Sequence, residues 1–268
     1  MNFLKKISLT NADVVICEPF PIFEFHNLFD VSIFRKLQAE FPDKTLFPGR
    51  YLENGGKFHW NSTTREFNDF LEKSPIWKDL FRLFSKPEIV AEFYALTQQV
   101  PSERTPAARK PWQLCFGEKD GFLQGVRNTM DGLKARLLDR IQVRLLFEFS
   151  CMEQGCYIPP HTDLPEKLLS LMIYFPEEDI TYPHGTGTEF YRKKPDNHEM
   201  RSWKSTWIKG DGVHNFFESN DTFYTSQFTA NKMVGFVKTS NSWHGVRQLN
   251  LPMHVLRRSL NVNYLLIR

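Results

Sequence analysis

Ile141-Gln142-Val143-Arg144-Leu145-Leu146-Phe147-Glu148-Phe149 is the stretch whose reading decides the fold. Apolar residues at 141, 143, 145, 147 and 149 alternate with Gln142, Arg144, Leu146 and Glu148, the period of a strand with two unlike faces. Downstream the texture persists. Strand-like runs follow over 156–163, 168–175, 187–192, 222–228, 232–238 and 257–267, punctuated by glycines and prolines. Short strands in succession, with no helical stretch between them, predict an antiparallel sandwich or barrel. Residues 193–221 are charged, aromatic and Gly-containing, and read as an insertion between two strands.

Upstream the pattern is helical. Asp30 can N-cap a helix over 31–41, with Ile33, Phe34, Leu37 and Phe41 as its apolar stripe and Pro42 to stop it. Two further helical patterns run from Glu66 to about Val100, carrying Phe67, Phe70, Leu71, Trp77, Leu80, Phe81 and Phe84, then Ile89, Val90, Phe93 and Leu96. Another is expected over 126–139, with Met130, Leu133 and Leu137. Such aromatic stripes pack against a sheet. Residues 44–65, with Gly49, Gly55 and Gly56, read as a loop or a loop with one short strand, and 101–112 as a proline-rich basic connector. The expectation is one domain over 1–268, mainly β with flanking helices (α+β). Mostly helical support over 1–140 would buttress a β core over 141–268.

Composition narrows the class. The chain is 41% hydrophobic and 24% charged, which suits a soluble globular protein. Its net charge of +3 is too small to suggest a nucleic-acid partner. Phe occurs 25 times, in keeping with a sheet-rich core. Cys17, Cys115, Cys151 and Cys156 form neither a CxxC nor a zinc-knuckle pattern, so reduced thiols are expected. No secretory signal and no run of roughly 18 apolar residues is legible. A cytoplasmic protein with no membrane partner is the expectation.

The chemistry concentrates in Cys156-Tyr157-Ile158-Pro159-Pro160-His161-Thr162-Asp163. On a strand, His161 and Asp163 face the same side, with room for an ion between them. A second imidazole, His244, lies downstream in Asn241-Ser242-Trp243-His244-Gly245-Val246. Two His and one carboxylate on one side of a metal leave its other positions open, the facial triad of non-haem Fe(II) oxygenases. The remaining histidines, His26, His59, His184, His198, His214 and His254, read as ordinary polar residues, although His184 or His214 could approach a pocket mouth.

Around these residues the sequence resembles the 2-oxoglutarate- and Fe(II)-dependent oxygenases, especially the prolyl-hydroxylase-like branch. Gly155 precedes the His-x-Asp strand, an apolar strand follows at 168–175, and Gly187-Thr188-Glu189-Phe190 stands where the family carries Gly-Gly-Glu-Leu. Asn231-Lys232-Met233-Val234-Gly235-Phe236, His244-Gly245-Val246 and Arg257-Arg258-Ser259-Leu260 resemble the strand before the distal His, the distal motif and the closing Arg-x-Ser. The opening Pro19-Phe20-Pro21 through Glu40-Phe41-Pro42 is similar to the first segment of many bacterial members. The likeness covers the second half well, the N-terminus loosely, and 44–140 hardly at all.

The resemblance implies a double-stranded β-helix core, jelly-roll or cupin-like. His161, Asp163 and His244 would hold Fe(II), 2-oxoglutarate would chelate it, and O2 would be consumed in hydroxylating a C–H bond. The cosubstrate's far carboxylate needs a buried cation. Arg257 and Arg258 compete for that role. Strand parity groups Arg257 with Ser259, Asn261 and Asn263, and Arg258 with Leu260, Val262 and Tyr264. A polar interior and an apolar outer face favour Arg257, with Ser259 assisting. Tyr157 shares the parity of His161 and Asp163, so it either bonds the cosubstrate or packs in the core. Met152 stands where many relatives carry a Tyr, which leaves that wall's cosubstrate contacts open. Relatives that halogenate lack the carboxylate, so Asp163 favours hydroxylation.

The expected substrate is a small polar metabolite or biosynthetic intermediate, with a peptidyl side chain as the alternative. Other readings are a barrel-fold binding protein with a structural metal site and a cupin-like metalloenzyme that does not use 2-oxoglutarate. The 44–65 loop and the 193–221 insertion are the expected substrate covers.

Overall fold

In this computed structural model the described residues are 11–51, 55–86, 88–93, 112–114, 141–195, 197 and 206–267. The expected helix over 126–139, most of the 101–112 connector, Cys115 and His198 lie outside them. In chain order the elements are β1 (Val14–Ile16), β2 (Ile22–Phe25), α1 (Val31–Ala39), β3 (Gly49–Tyr51), β4 (Lys57–Asn61), α2 (Arg65–Lys73), α3 (Pro75–Phe84), β5 (Trp112–Leu114), β6 (Ile141–Met152), β7 (Ile158–Thr162), β8 (Lys167–Tyr174), β9 (Glu189–Lys193), β10 (Thr206–Trp207), α4 (Gly212–Ser219), β11 (Asn220–Thr225), β12 (Lys232–Val237), β13 (His244–Val246) and β14 (Arg257–Ile267).

The strands form two sheets. The larger runs β1-β2-β12-β8-β14-β6-β4-β3, and the smaller runs β10-β7-β13-β9-β11. Every pairing is antiparallel except that of β5, which joins β6 in parallel. The long strands β6 and β14 pair from Arg257↔Met152 to Ile267↔Gln142. This register aligns the alternation read at 141–149 with that of 257–267. It puts Ser150, Glu148, Ser259, Asn261 and Asn263 on one face and Phe147, Phe149, Leu260, Val262 and Tyr264 on the other.

The apolar face carries the core. Phe149 sits at its centre, with ring centroids 4.8 Å from Trp77, 5.3 Å from Phe41 and 5.6 Å from Phe67 and Phe70. α2 and α3 supply Phe67, Phe70 and Trp77, and Phe41 follows just after α1. Each helix starts where local chemistry allows. Asp30 accepts a hydrogen bond from the Ser32 amide, Thr64 from the Phe67 amide, and Pro75 opens α3. Tyr264 ties β14 to the end of α3 by donating to the Phe84 carbonyl at 3.0 Å.

The first half is not helical alone. β1 to β4, all from the first half, are hydrogen-bonded into the larger sheet. They are short, and the aromatic and Gly-rich stretch around β3 and β4 carries no long alternation that would show them as strands. Among the described residues no helix is long and apolar enough to cross a membrane. Cys17, Cys151 and Cys156 are free thiols.

Asn231 fastens the N-terminal segment to the larger sheet. Its side-chain oxygen accepts from the Phe29 amide and its side-chain nitrogen donates to the Phe29 carbonyl, both at 2.8 Å. Its φ is 57°, a left-handed conformation that Asn tolerates. Asn231→Ala loses both bonds and strains the backbone, at a cost of about 2–3 kcal/mol. Asn231→Gly keeps the conformation and should cost less. Urea midpoints of the two variants check the order.

Candidate active site

The polar face of the larger sheet turns toward the smaller sheet, and a cavity of about 450 Å³ lies between them. β4, β6, β8 and β14 line one side, and β7, β10 and β13 the other. Among the lining residues are His161, Asp163, His244, Arg257 and Ser259. Each is buried, between 2% and 7% exposed.

β7 and β13 bring the two imidazoles together. His161 and His244 are direct cross-strand partners, and their ring centroids lie 4.1 Å apart. Gly245 permits the close pairing, because a Cβ there would stand 2.7 Å from the Ile158 carbonyl oxygen. Asp163 follows β7 directly. His161 Nε2 is 4.0 Å from Asp163 Oδ1, and His244 Nε2 is 3.8 Å from Asp163 Oδ2. One donor atom from each residue falls within 4.8 Å of the others.

Both imidazoles are oriented by backbone. The Nδ1 of His161 lies 3.0 Å from the Pro159 carbonyl, and the Nδ1 of His244 lies 3.0 Å from the Ser242 carbonyl. A carbonyl only accepts, so each Nδ1 carries the hydrogen and each Nε2 is left to face the cavity as a ligand. Burial holds both imidazoles below their ordinary pKa, His161 further lowered by His244 beside it. They are neutral at neutral pH, the form that binds metal. The Trp207 indole lies flat on His161, with centroids 4.0 Å apart and planes 7° apart. Phe236 closes on His244 at 4.4 Å.

Asp163 is held from its other side. Lys167 donates to Oδ1 and Ser170 to Oδ2, each at 2.7 Å. Burial alone would raise the carboxyl's pKa. The Lys167 ammonium, with smaller contributions from His244 and His161, outweighs burial and keeps Asp163 an anion well below the usual carboxylate range.

Arg257 is 2% exposed and lines the cavity. Its Nε donates to the Thr186 carbonyl at 2.7 Å, while Nη2 reaches Thr188 Oγ1 only at 3.5 Å and Nη1 faces the Met152 sulfur at 3.8 Å. The guanidinium also lies against the Tyr174 and Phe228 rings, at 5.5 and 5.3 Å. Among the described residues no carboxylate pairs with it, and burial lowers its pKa. Its acceptors, the Thr186 carbonyl, the Tyr174 hydroxyl and Thr188, are all neutral, so a buried guanidinium here is left without a counter-charge unless an anion binds. Arg258 faces the other way. It stacks on Phe41 and donates to the Phe175 carbonyl at 3.3 Å, outside the cavity lining.

Tyr157 is the expectation that fails. It is 41% exposed and lines a separate cavity on the outer side of the smaller sheet. The reason is a bulge. His244 pairs with His161 but Val246 pairs with Ile158, so β7 carries one extra residue in the Pro159-Pro160 step. Parity counted through that step inverts, and Ile158 faces the cavity in place of Tyr157. His184 and His214 are exposed and line neither wall, and the segment at 57–61 is a strand of the cavity wall, not a cover. From the 193–221 insertion, Trp207 reaches the site by pairing β10 with β7.

Several lining residues carry no clear signal in the sequence. Lys57, His59 and Asn61 alternate along β4, a period-2 signal too short to stand out beside the loop sequence around it. Together with β6 and β14 they build a buried network. Glu148 Oε1 accepts from Lys57 at 2.7 Å and Asn261 at 3.0 Å, and Oε2 lies 3.3 Å from His59 Nδ1. Burial pushes the Glu148 carboxyl up, but Lys57 and His59 outweigh it and hold the carboxyl far below its usual range. A carboxyl whose folded pKa is depressed stabilises the fold above its unfolded value near about 4.3 and loses that contribution as pH falls toward the folded value. The stability difference between wild type and Glu148→Gln should therefore shrink between about pH 6 and pH 3. Urea unfolding across that range measures it.

No protein-family model and no curated protein matches this chain. Solved structures give distant likenesses. A Pseudomonas putida prolyl-4-hydroxylase is 13% identical, with 92% of this chain and 93% of that one covered at a TM-score of 0.44. A Burkholderia pseudomallei oxidoreductase of the 2OG-Fe(II) oxygenase family is 11% identical, with 91% and 85% covered at 0.45. HygX from Streptomyces hygroscopicus, solved with nickel, 2-oxoglutarate and hygromycin B, is 11% identical, with 91% and 82% covered at 0.43. At these scores the likenesses carry no weight beside the residues of the cavity.

Proposed function

We propose that this chain is an Fe(II)- and 2-oxoglutarate-dependent oxygenase on a double-stranded β-helix, and that it hydroxylates a C–H bond of a small polar molecule. One observation carries the reading. A neutral His–carboxylate–His set shares a cavity with a buried arginine that has no carboxylate partner among the described residues. The donor set fits a hard divalent metal, and the arginine fits a dicarboxylate lying alongside it. Bound there, Fe(II) with 2-oxoglutarate and O2 supplies the oxidising power that turns a C–H bond into an alcohol, releasing succinate and CO2.

The chain's own residues do the rest. The Nε2 atoms of His161 and His244 and one oxygen of Asp163, which lie within 4.8 Å of one another, would hold the metal. Arg257, with Ser259 beside it on β14, receives the cosubstrate's far carboxylate. Trp207 and Phe236 cover the imidazoles and keep water from them. The polar wall of Asn61, Asn261 and Asn263 orients substrate.

The test is anaerobic addition of Fe(II) and then 2-oxoglutarate to the purified protein. A weak visible charge-transfer band is expected. Metal binding without the band would remove 2-oxoglutarate from the reading, and no metal binding would remove the site.

A further inference from the structure

Two ammonium groups line the cavity, and each is held by a buried carboxylate. Lys57 is held by Glu148 and Lys167 by Asp163, both at 2.7 Å. Counted with Arg257, the described lining residues carry three cations against two anions, one net positive charge. A divalent metal and the 2-oxoglutarate dianion cancel each other. One positive charge therefore remains for the substrate.

The two lysines are not equivalent. Glu148 is not among the grouped metal-ligating residues, so its charge stays with Lys57, His59 and Asn261. Asp163 belongs to the ligand set. Once it donates to a dication, its negative charge is shared, and its hold on Lys167 weakens. The ammonium is also repelled by the metal. Lys167 sits at the start of β8 with its side chain 16% exposed, beside Leu164, which is 45% exposed, so it stands toward the open side of the cavity. An ammonium on a four-carbon stem can swing from a carboxylate it shares to one it does not.

Resting on the oxygenase reading above, we propose that Lys167 anchors a carboxylate of the substrate beside the metal. One uncompensated charge fits a carboxylate better than a phosphate monoester, which carries nearly two. The substrate class is thus a small carboxylic acid, with its other polar groups against the Asn261 and Asn263 amides.

The experiment uses the full chain with Fe(II), 2-oxoglutarate and O2, and follows succinate release. The probes are the twenty L-amino acids and a series of aliphatic and hydroxy acids, each paired with its carboxamide. Acids are expected to raise 2-oxoglutarate turnover and their amides are not. For the best acid, Lys167→Met should raise KM about 30-fold, as loss of a charge-assisted hydrogen bond would. Lys167→Arg keeps a cation beside Asp163 and should recover most of that. Amides acting as well as acids, an unchanged KM for the acid in Lys167→Met, or no acid raising turnover would each overturn the proposal. The anaerobic band keeps the two readings apart. A wild-type band with acid-indifferent turnover sinks only the substrate assignment, and no band sinks the oxygenase itself.

Discussion

His161→Ala is expected to lower Fe(II) affinity by at least about 100-fold and to abolish the charge-transfer band, while leaving the protein folded. Loss of groups that merely orient a ligand costs about 10–100-fold in metal affinity, so loss of a ligand should cost at least the upper figure. The fold should survive. The side chain's polar ties are one hydrogen bond to the Pro159 carbonyl and its place beside Asp163, and its packing is mainly against Trp207 and His244. Losing these costs a few kcal/mol at most. Anaerobic titration with Fe(II), set beside a thermal melt of the same variant, separates the two effects. His244→Ala should match it, because the two imidazoles are cross-strand equals with the same backbone anchor. A variant that melts normally and still binds Fe(II) with wild-type affinity would show that the three residues do not act as one set.

Much of this site was legible because its chemistry is carried by strand periodicity. His161 and Asp163 are two apart, and Arg257, Ser259, Asn261 and Asn263 alternate with Leu260, Val262 and Tyr264. Parity alone separates Arg257 from Arg258, and the two side chains do face opposite ways. The same rule failed at Tyr157, since a bulge adds one residue and reverses every assignment on its far side. The proline pair at 159–160 was the available hint, because proline within a sheet marks an edge or a bulge. His59 is silent in the sequence for a different reason. Its partner Glu148 is on β6, far away in sequence, and nothing local to residues 57–61 says that they join that strand. Trp207 carries no signal at all. Its place depends on a two-residue strand pairing with β7 at the register of His161.

The second large effect belongs to Arg257, and its signature is a change of opposite sign in stability and in binding. Removing one partner of a buried ion pair ordinarily destabilises a protein, because the other charge is left stranded. Arg257 strands none, as no carboxylate pairs with it among the described residues, and its Thr188 contact is long. Its guanidinium is fully desolvated, a cost that its contacts with the Tyr174 and Phe228 rings offset only in part. Arg257→Met should therefore leave the unliganded protein as stable as wild type or raise its melting temperature, although the Thr186 carbonyl, the Tyr174 hydroxyl and, at long range, Thr188 lose a donor. Binding should move the other way. Taking away one side of a buried charge-assisted contact costs about 2–5 kcal/mol, so 2-oxoglutarate affinity should fall by a factor between about 30 and several thousand. Fe(II) affinity should stay close to wild type, because the arginine is not among the grouped ligands. Arg258→Met supplies the contrast. That side chain stacks on Phe41 and holds the Phe175 carbonyl, so its loss should lower stability and leave 2-oxoglutarate binding nearly unchanged. Melting curves with and without 2-oxoglutarate read both quantities at once. The cosubstrate should raise the wild-type and Arg258→Met melting temperatures and leave that of Arg257→Met where it was. A ligand-induced rise of wild-type size in Arg257→Met would mean that the buried guanidinium serves some other anion.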